Sequence, residues 1–285
     1  MQSADYHQRI IDYYRDTENA YKDSWDLDNS LSIHYGYWDK QVRSFPQSLT
    51  RMNEVMMQAA SVQSADRVLD AGCGVGGGSI FLASVLGCRV TGITLSERQV
   101  LQATTNAKKT GVSELVNFEV MNYSATNFAD ESFDVVWGCE SICYADDKNA
   151  FIKEAYRLLK PGGRLVMADG MVTDFENNKH PVILDWLTGW QVNYLETPER
   201  FGKYIHDAGF VNSSFTDITN HTKHSSRRLN YLFYAATLYV WWRRLTFRKT
   251  MDIKKKNIIA CRKQYIGMKR KLWIYGLITA TKAGV

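Results

Sequence analysis

The stretch Val68-Leu-Asp-Ala-Gly-Cys-Gly-Val-Gly-Gly77 decides the architecture of this chain. Val68 and Leu69 close a short apolar run, and Gly72, Gly74 and Gly76 follow at alternate positions. Glycines there let the backbone turn sharply from strand to helix and approach a ligand with no Cβ in the way. The helix that follows offers free first-turn N–H groups to that ligand. A Gly-rich turn alone fits a dinucleotide enzyme equally well. Asp70, just before the first glycine, tips the reading, because a carboxylate suits a cationic amino group and repels a pyrophosphate.

Outward from this turn, short apolar runs alternate with helical stretches. Strands are expected over 67–70, 88–94, 116–121, 133–139 and 164–168, with helices over about 77–86, 96–110 and 147–159 between them. Such alternation predicts a parallel sheet with helices on both faces. A helix ending near His206 and strands over 213–218 and 273–279 complete it. Before the core, residues 1–30 read as one or two short helices, and Ser44 with Pro46 opens another through about Ala60. The expected organisation is a helical cap over 1–64, a ligand-binding core over 65–170, a lid and completion of the sheet over 171–222, and a basic, aromatic helical insertion with the final strand over 223–285.

Composition narrows the class. With 285 residues, 45% hydrophobic and 23% charged, the chain suits one α/β domain with insertions. The N-terminus lacks the charged and apolar regions of a secretory signal, and the five cysteines show no CxxC pairing. Reduced thiols, a cytoplasmic location and no metal site are expected. Residues 223–271 hold 15 Lys/Arg against one acid, Asp252, leaving 20 basic and 29 acidic residues elsewhere. That asymmetry suits either a solvated helix face or an anionic partner. The apolar run 229–242 is shorter than the ~20 residues that span a bilayer and reads as a buried helix or substrate lid, with peripheral membrane docking as the alternative.

Four motifs carry a resemblance. Val68–Gly77 looks like motif I of the class I S-adenosylmethionine-dependent methyltransferases. Gly92-Ile-Thr-Leu-Ser96 with Gln99, Phe133-Asp-Val-Val-Trp-Gly-Cys-Glu140 and Leu158-Leu-Lys-Pro-Gly-Gly163 resemble the next three. Together they imply a Rossmann-like, doubly wound, seven-stranded and mostly parallel sheet that binds S-adenosyl-L-methionine. The cofactor residues this implies are Asp70, Gly72, Gly74, Gly76, Thr94, Leu95, Gln99, Asn122, Tyr123, Trp137 and Tyr35. The sequence departs from the pattern twice. Thr94 stands where many relatives carry the acid that grips the ribose, and Asn122-Tyr123 stands where they often have Asp-Ala near adenine.

On the substrate side, Leu31-Ser-Ile-His-Tyr-Gly-Tyr-Trp-Asp39 resembles the segment that folds over the cofactor in sterol, tocopherol and terpenoid methyltransferases. Glu140-Ser-Ile-Cys-Tyr144 is similar to the corresponding run of the sterol and prenyl-diphosphate C-methyltransferases, with Tyr144 where sterol enzymes usually have His. This resemblance implies Glu140, Tyr144 and His34 as catalytic residues, and Tyr14, Tyr37, Trp38 and Cys143 as substrate contacts. The expected reaction is methylation of a lipophilic, isoprenoid-like acceptor at an alkene carbon, with the basic segment meeting an anionic group on it or a membrane. O- or N-methylation with His34 as base is the alternative. An NAD-dependent oxidoreductase is disfavoured by Asp70, by Thr94 and by the Lys160–Gly163 run, and a nucleic-acid enzyme by the absence of an Asn/Asp-Pro-Pro-Tyr/Phe motif. Oligomeric state is left open.

Overall fold

One seven-stranded sheet, in the order β3-β2-β1-β4-β5-β7-β6, organises the molecule. The computed structural model describes residues 2–245 and 252–284. Strand β1 (Arg67–Ala71) pairs in parallel with β2 (Arg89–Thr94) on one side and with β4 (Phe133–Cys139) on the other. Strand β3 (Val116–Val120) extends one edge, and β5 (Leu159–Val172) continues the other, both in parallel. Strand β7 (Trp273–Lys282) runs antiparallel between β5 and β6 (Phe210–Asp217). The sheet is therefore mostly parallel and doubly wound, as the alternation of elements predicts.

The strand order reverses between β1 and β4, where parallel sheets open a crevice at their carboxyl ends. Asp70 there lies in register with Trp137, so the Gly-rich turn and the start of the Glu140 loop leave the sheet side by side. Helix α4 (Gly77–Leu86) begins directly after the turn, and Gly72, Gly74 and Gly76 all take positive φ values. Gly87, also left-handed, ends it. Ser96 caps α5 (Glu97–Thr110) and Asp147 caps α6 (Lys148–Leu158), each through its side-chain oxygen.

Three elements differ from expectation. Residues 1–30 form a long helix, α1 (Gln2–Trp25), followed by the short α2 (Leu27–Ser30). Tyr6, Ile10, Tyr13, Thr17, Tyr21 and Trp25 recur every three or four residues and are all buried, which fuses the segment into one amphipathic rod. Helix α3 (Phe45–Ala59) starts as expected, from a capping box between Ser44 and Gln47. Strand β5 starts earlier than expected. Leu159 already pairs with Phe133, and the register then shifts across 160–163 before Arg164 meets Val135.

The third difference lies in the basic segment. Helices α7 (Pro181–Trp190) and α8 (Pro198–Asp207) precede β6, and α9 (Thr219–Leu245) and α10 (Asp252–Lys269) precede β7. The run 229–242 lies within α9, but it is not a buried helix. Leu229 is buried, while Tyr231, Tyr234, Leu238, Tyr239 and Trp241 are each more than half exposed. Thr222, Ser225 and Ser226 form the buried face, because their small hydroxylated side chains allow close packing. The 246–251 part of the basic segment lies outside the described residues.

Candidate functional site

Two cavities meet at the carboxyl ends of β1 and β4. The first is lined by the Gly-rich turn (Asp70, Gly72, Gly74), by Thr94, Leu95 and Gln99 after β2, and by Tyr123 and Trp137. Residues 31–34 close it from above. Gly77 fixes that closure: a Cβ there would lie 2.1 Å from the Leu31 carbonyl oxygen, so glycine lets the N-terminal segment rest on the start of α4.

Asp70 is buried on the floor of this cleft. Burial pushes its carboxyl up to about 6, and the Ser79 hydroxyl, donating to Oδ2 at 2.6 Å, works against that rise. The Trp137 indole N–H is buried with no partner among the described residues. A Cβ at Gly78 would approach both the Asp70 carboxylate and this N–H at 3.3 Å. A buried acid and an unpartnered donor side by side suit a ligand that carries both an ammonium and a carboxylate. Thr94 donates to Gln99 Oε1 at 2.6 Å, which leaves the Gln99 amide N–H groups and the Thr94 oxygen as the polar surface where an acid is lacking.

Several expected cofactor contacts are placed differently. Gly76 faces the core, where a Cβ would press on Phe118, Ala103 and Ile80, so it serves helix packing; Gly77 and Gly78 line the cleft in its place. Asn122 does not line the cleft, and its Oδ1 accepts from the Ser124 N–H at 2.9 Å. Tyr35 belongs to the second cavity, with its hydroxyl donating to Gln264 Oε1 at 2.8 Å.

The second cavity is walled by aromatic rings. Tyr14, Tyr144, Trp186, Trp190, Trp273 and Tyr275 line it, with Cys143 and two carboxyls, Glu140 and Asp169. Among the described residues no Lys, Arg or His lines it. Tyr14, Ile33, Glu140 and Tyr144 line both cavities and form the partition between them. The Tyr14 and Tyr144 rings lie 5.9 Å apart, and Tyr144 donates to the Trp190 carbonyl at 2.9 Å.

Glu140 stands at the end of β4 with φ of 48°, a left-handed conformation that costs a residue with a Cβ. Its N–H donates to the Ala168 carbonyl at 2.8 Å, which holds the turn. Oε1 accepts from the Tyr35 backbone N–H and from the Tyr275 hydroxyl, the latter at 2.6 Å. Burial raises the carboxyl to about 8, against the lowering effect of those two donors.

Behind Glu140, Asp169 accepts the Cys143 and Gly170 N–H groups, and burial lifts it to about 6. Lys148 is also buried, donates to the Cys143 and Ala145 carbonyls at 2.9 Å each, and lies 3.7 Å from the centre of the Tyr194 ring. Burial depresses its ammonium to about 8. These contacts fix the loop that carries Cys143 and Tyr144.

His34 lines the first cavity, with Nδ1 3.0 Å from the Tyr35 carbonyl and Nε2 buried without a partner among the described residues. A carbonyl only accepts, so Nδ1 carries the proton and Nε2 is bare. Burial lowers its pKa to about 4, which makes it a weak base at neutral pH and removes the reason for expecting it to deprotonate an acceptor. Tyr37 and Trp38 line neither cavity: Tyr37 stacks on His221 at 4.2 Å, and Trp38 donates to the Ser225 hydroxyl. Both fasten the N-terminal segment to α9. All five cysteines are free, and among the described residues no group of His, Cys, Asp and Glu is placed to hold a metal ion.

A Rossmann-like sheet with a buried acid beneath its switch-point turn defines a class of enzyme that holds a nucleoside-bearing cofactor over β1. Residues 69–167 match the methyltransferase-domain family. The chain is 31% identical over 215 residues to 27-O-demethylrifamycin SV methyltransferase of Amycolatopsis mediterranei, spanning 73% of this chain and 76% of that one. It is 35% identical over 214 residues to 2-methyl-6-phytyl-1,4-hydroquinone methyltransferase of Synechocystis, spanning 70% and 66%. Geranyl diphosphate C-methyltransferase of Streptomyces coelicolor, solved with Mg2+, geranyl diphosphate and S-adenosyl-L-homocysteine, shares the fold at a TM-score of 0.73 and 20% identity, with 98% of each chain covered. The chain belongs to the S-adenosylmethionine-dependent methyltransferases of small molecules.

Proposed function

We propose that this methyltransferase acts on an alkene carbon of an uncharged, isoprenoid-like acceptor held in the aromatic cavity. The observation that carries the reading is Glu140 in the partition between the two cavities, hydrogen-bonded from Tyr275 and surrounded by rings. A diphosphate would meet two carboxyls and no cation there, which supports an uncharged acceptor over an anionic one.

The cofactor supplies a methyl group already activated on a sulfonium, so the protein's part is alignment and a dry pocket. Asp70 and the Trp137 N–H would hold its amino-acid end, and Thr94 and Gln99 its ribose. When the acceptor alkene gains a methyl group, positive charge develops on the neighbouring carbon. The faces of Tyr14, Tyr35 and Tyr144 stabilise that charge. Glu140, as the carboxylate, takes a proton from the adjacent carbon, and the C–H pair restores a double bond. O-methylation is the second reading, favoured by similarity to an enzyme whose name is that of an O-methyltransferase. There Glu140 would take the hydroxyl proton directly.

Incubation with labelled cofactor and a lipophilic cell extract, followed by mass spectrometry and NMR of the product, assigns the methyl to carbon or oxygen. Glu140→Gln is expected to lower turnover by at least about a hundredfold while leaving cofactor affinity unchanged. Undiminished turnover would remove Glu140 from the chemistry.

A further inference from the structure

On α9, Lys223, Arg227, Tyr231, Tyr234, Leu238 and Trp241 follow one another at steps of three and four residues and all are exposed. That spacing places them in one stripe along the helix, with the two cations at its start and the apolar and aromatic side chains after them. Arg262 on α10 adds a further cation, 5.2 Å from the Phe233 ring and 5.7 Å from the Tyr234 ring. The opposite face of α9 is fastened to the body. Arg228 lies 4.0 Å over Phe45 and donates to the Ser24 carbonyl, and Ser226 donates to Gln264 at 2.6 Å. The stripe is therefore presented outward by a helix held on its other side.

We infer that this stripe docks the enzyme on an anionic lipid surface, with α9 lying in the plane of the interface. Tyr and Trp have apolar bodies and polar tips, which suits them to the headgroup level of a bilayer. From Tyr231 to Trp241 the stripe runs about 15 Å, too short to cross but long enough to lie embedded. Among the described residues no helix is long and apolar enough to span a membrane. Charge singles out the lipid: 15 Lys/Arg against one acid over 223–271, on a chain whose remainder is acidic, would attract anionic headgroups and keep the rest away from them.

The stripe also has a place in the molecule's work. α10 packs closely on α7, where Gly189 leaves room for the Lys256 carbonyl, and α7 carries Trp186 and Trp190 of the acceptor cavity. A surface seated on this hairpin lies next to the wall of the cavity where a lipophilic acceptor is held.

Flotation of the full chain with phosphatidylcholine vesicles, and with vesicles that also contain phosphatidylglycerol, tests the inference. Binding is expected to be at least about tenfold tighter to the anionic vesicles and to weaken in high salt. The double substitution L238E/W241E is expected to lower that binding about tenfold or more. Its melting temperature and its affinity for the cofactor are expected to match the wild type, because neither side chain lines a cavity. Equal binding to both vesicle types, or undiminished binding by the variant, overturns the inference. So does a wild-type dimer that dissociates in the variant without vesicle binding, or a polynucleotide that binds the stripe in preference to lipid.

Discussion

At neutral pH Glu140 keeps the proton that an exposed glutamate gives up near pH 4.5, because burial raises its carboxyl to about 8. If the carboxylate is the working base, kcat/KM rises with pH up to a midpoint near 8 and then levels. Tyr275→Phe deletes a donor that favours the carboxylate, so the midpoint is expected to move to higher pH. A pH profile with the wild-type midpoint would reduce Tyr275 to a packing residue. Asp70 is suited to a different task, since it lies beneath the turn and not between the cavities. Asp70→Ala is expected to weaken cofactor binding by roughly 10- to 100-fold in calorimetry, the worth of one charge-assisted hydrogen bond. Unchanged affinity would contradict its proposed contact. Asp70 and Glu140 were legible in the sequence because each adjoins a local motif. Tyr275 was not, because it reaches Glu140 only through the antiparallel pairing that sets it opposite Gly170, 135 residues further along the chain.

Among the elements, strands β1, β2 and β4 were legible because each is a short apolar run stopped by a turn signal, and two covered faces demand such runs. Helix α1 carried its own signal in the spacing of its buried aromatics, but polar residues between them disguised one long helix as two short ones. For α9 the apolar run fixed the helix and not its orientation. Serine and threonine pack inward there and the aromatics point outward, a choice set by contacts with residues 36–38 and with α10. The join between the N-terminal segment and α4 depends on close approach. Gly77→Ala would drive a Cβ against the Leu31 carbonyl, and backbone must then move. Such overpacking is expected to cost about 1–3 kcal/mol of stability and to weaken cofactor binding, as the lid lifts from the cleft. Unfolding curves and calorimetry on the same sample check both effects, and an unaltered pair of values would show that residues 31–34 do not bear on α4.

Across the whole molecule, burial of titratable groups at the two cavities links stability to pH. Stability rises with pH wherever the unfolded chain binds more protons than the folded one, and falls where the folded chain binds more. His34, lowered from 6.5 to about 4, makes stability rise across that interval. Asp70 and Asp169, each raised from 3.8 to about 6, make it fall over much of the same range and together outweigh the first effect. Lys148, lowered from 10.5 to about 8, makes stability rise above pH 8. Between pH 6.5 and 8 Glu140 dominates, because the folded chain keeps a proton that the unfolded chain has lost, while the tails of the His34 and Lys148 transitions oppose it in part. The unfolding free energy of the cofactor-free enzyme is therefore expected to fall by about 1 kcal/mol over that window. In Glu140→Gln the fall should be gone from the same window, because a neutral amide occupies the site at every pH. Denaturant unfolding of both proteins at pH 6.5, 7.25 and 8 decides it, and parallel curves for the two would show that Glu140 does not hold its proton through neutral pH.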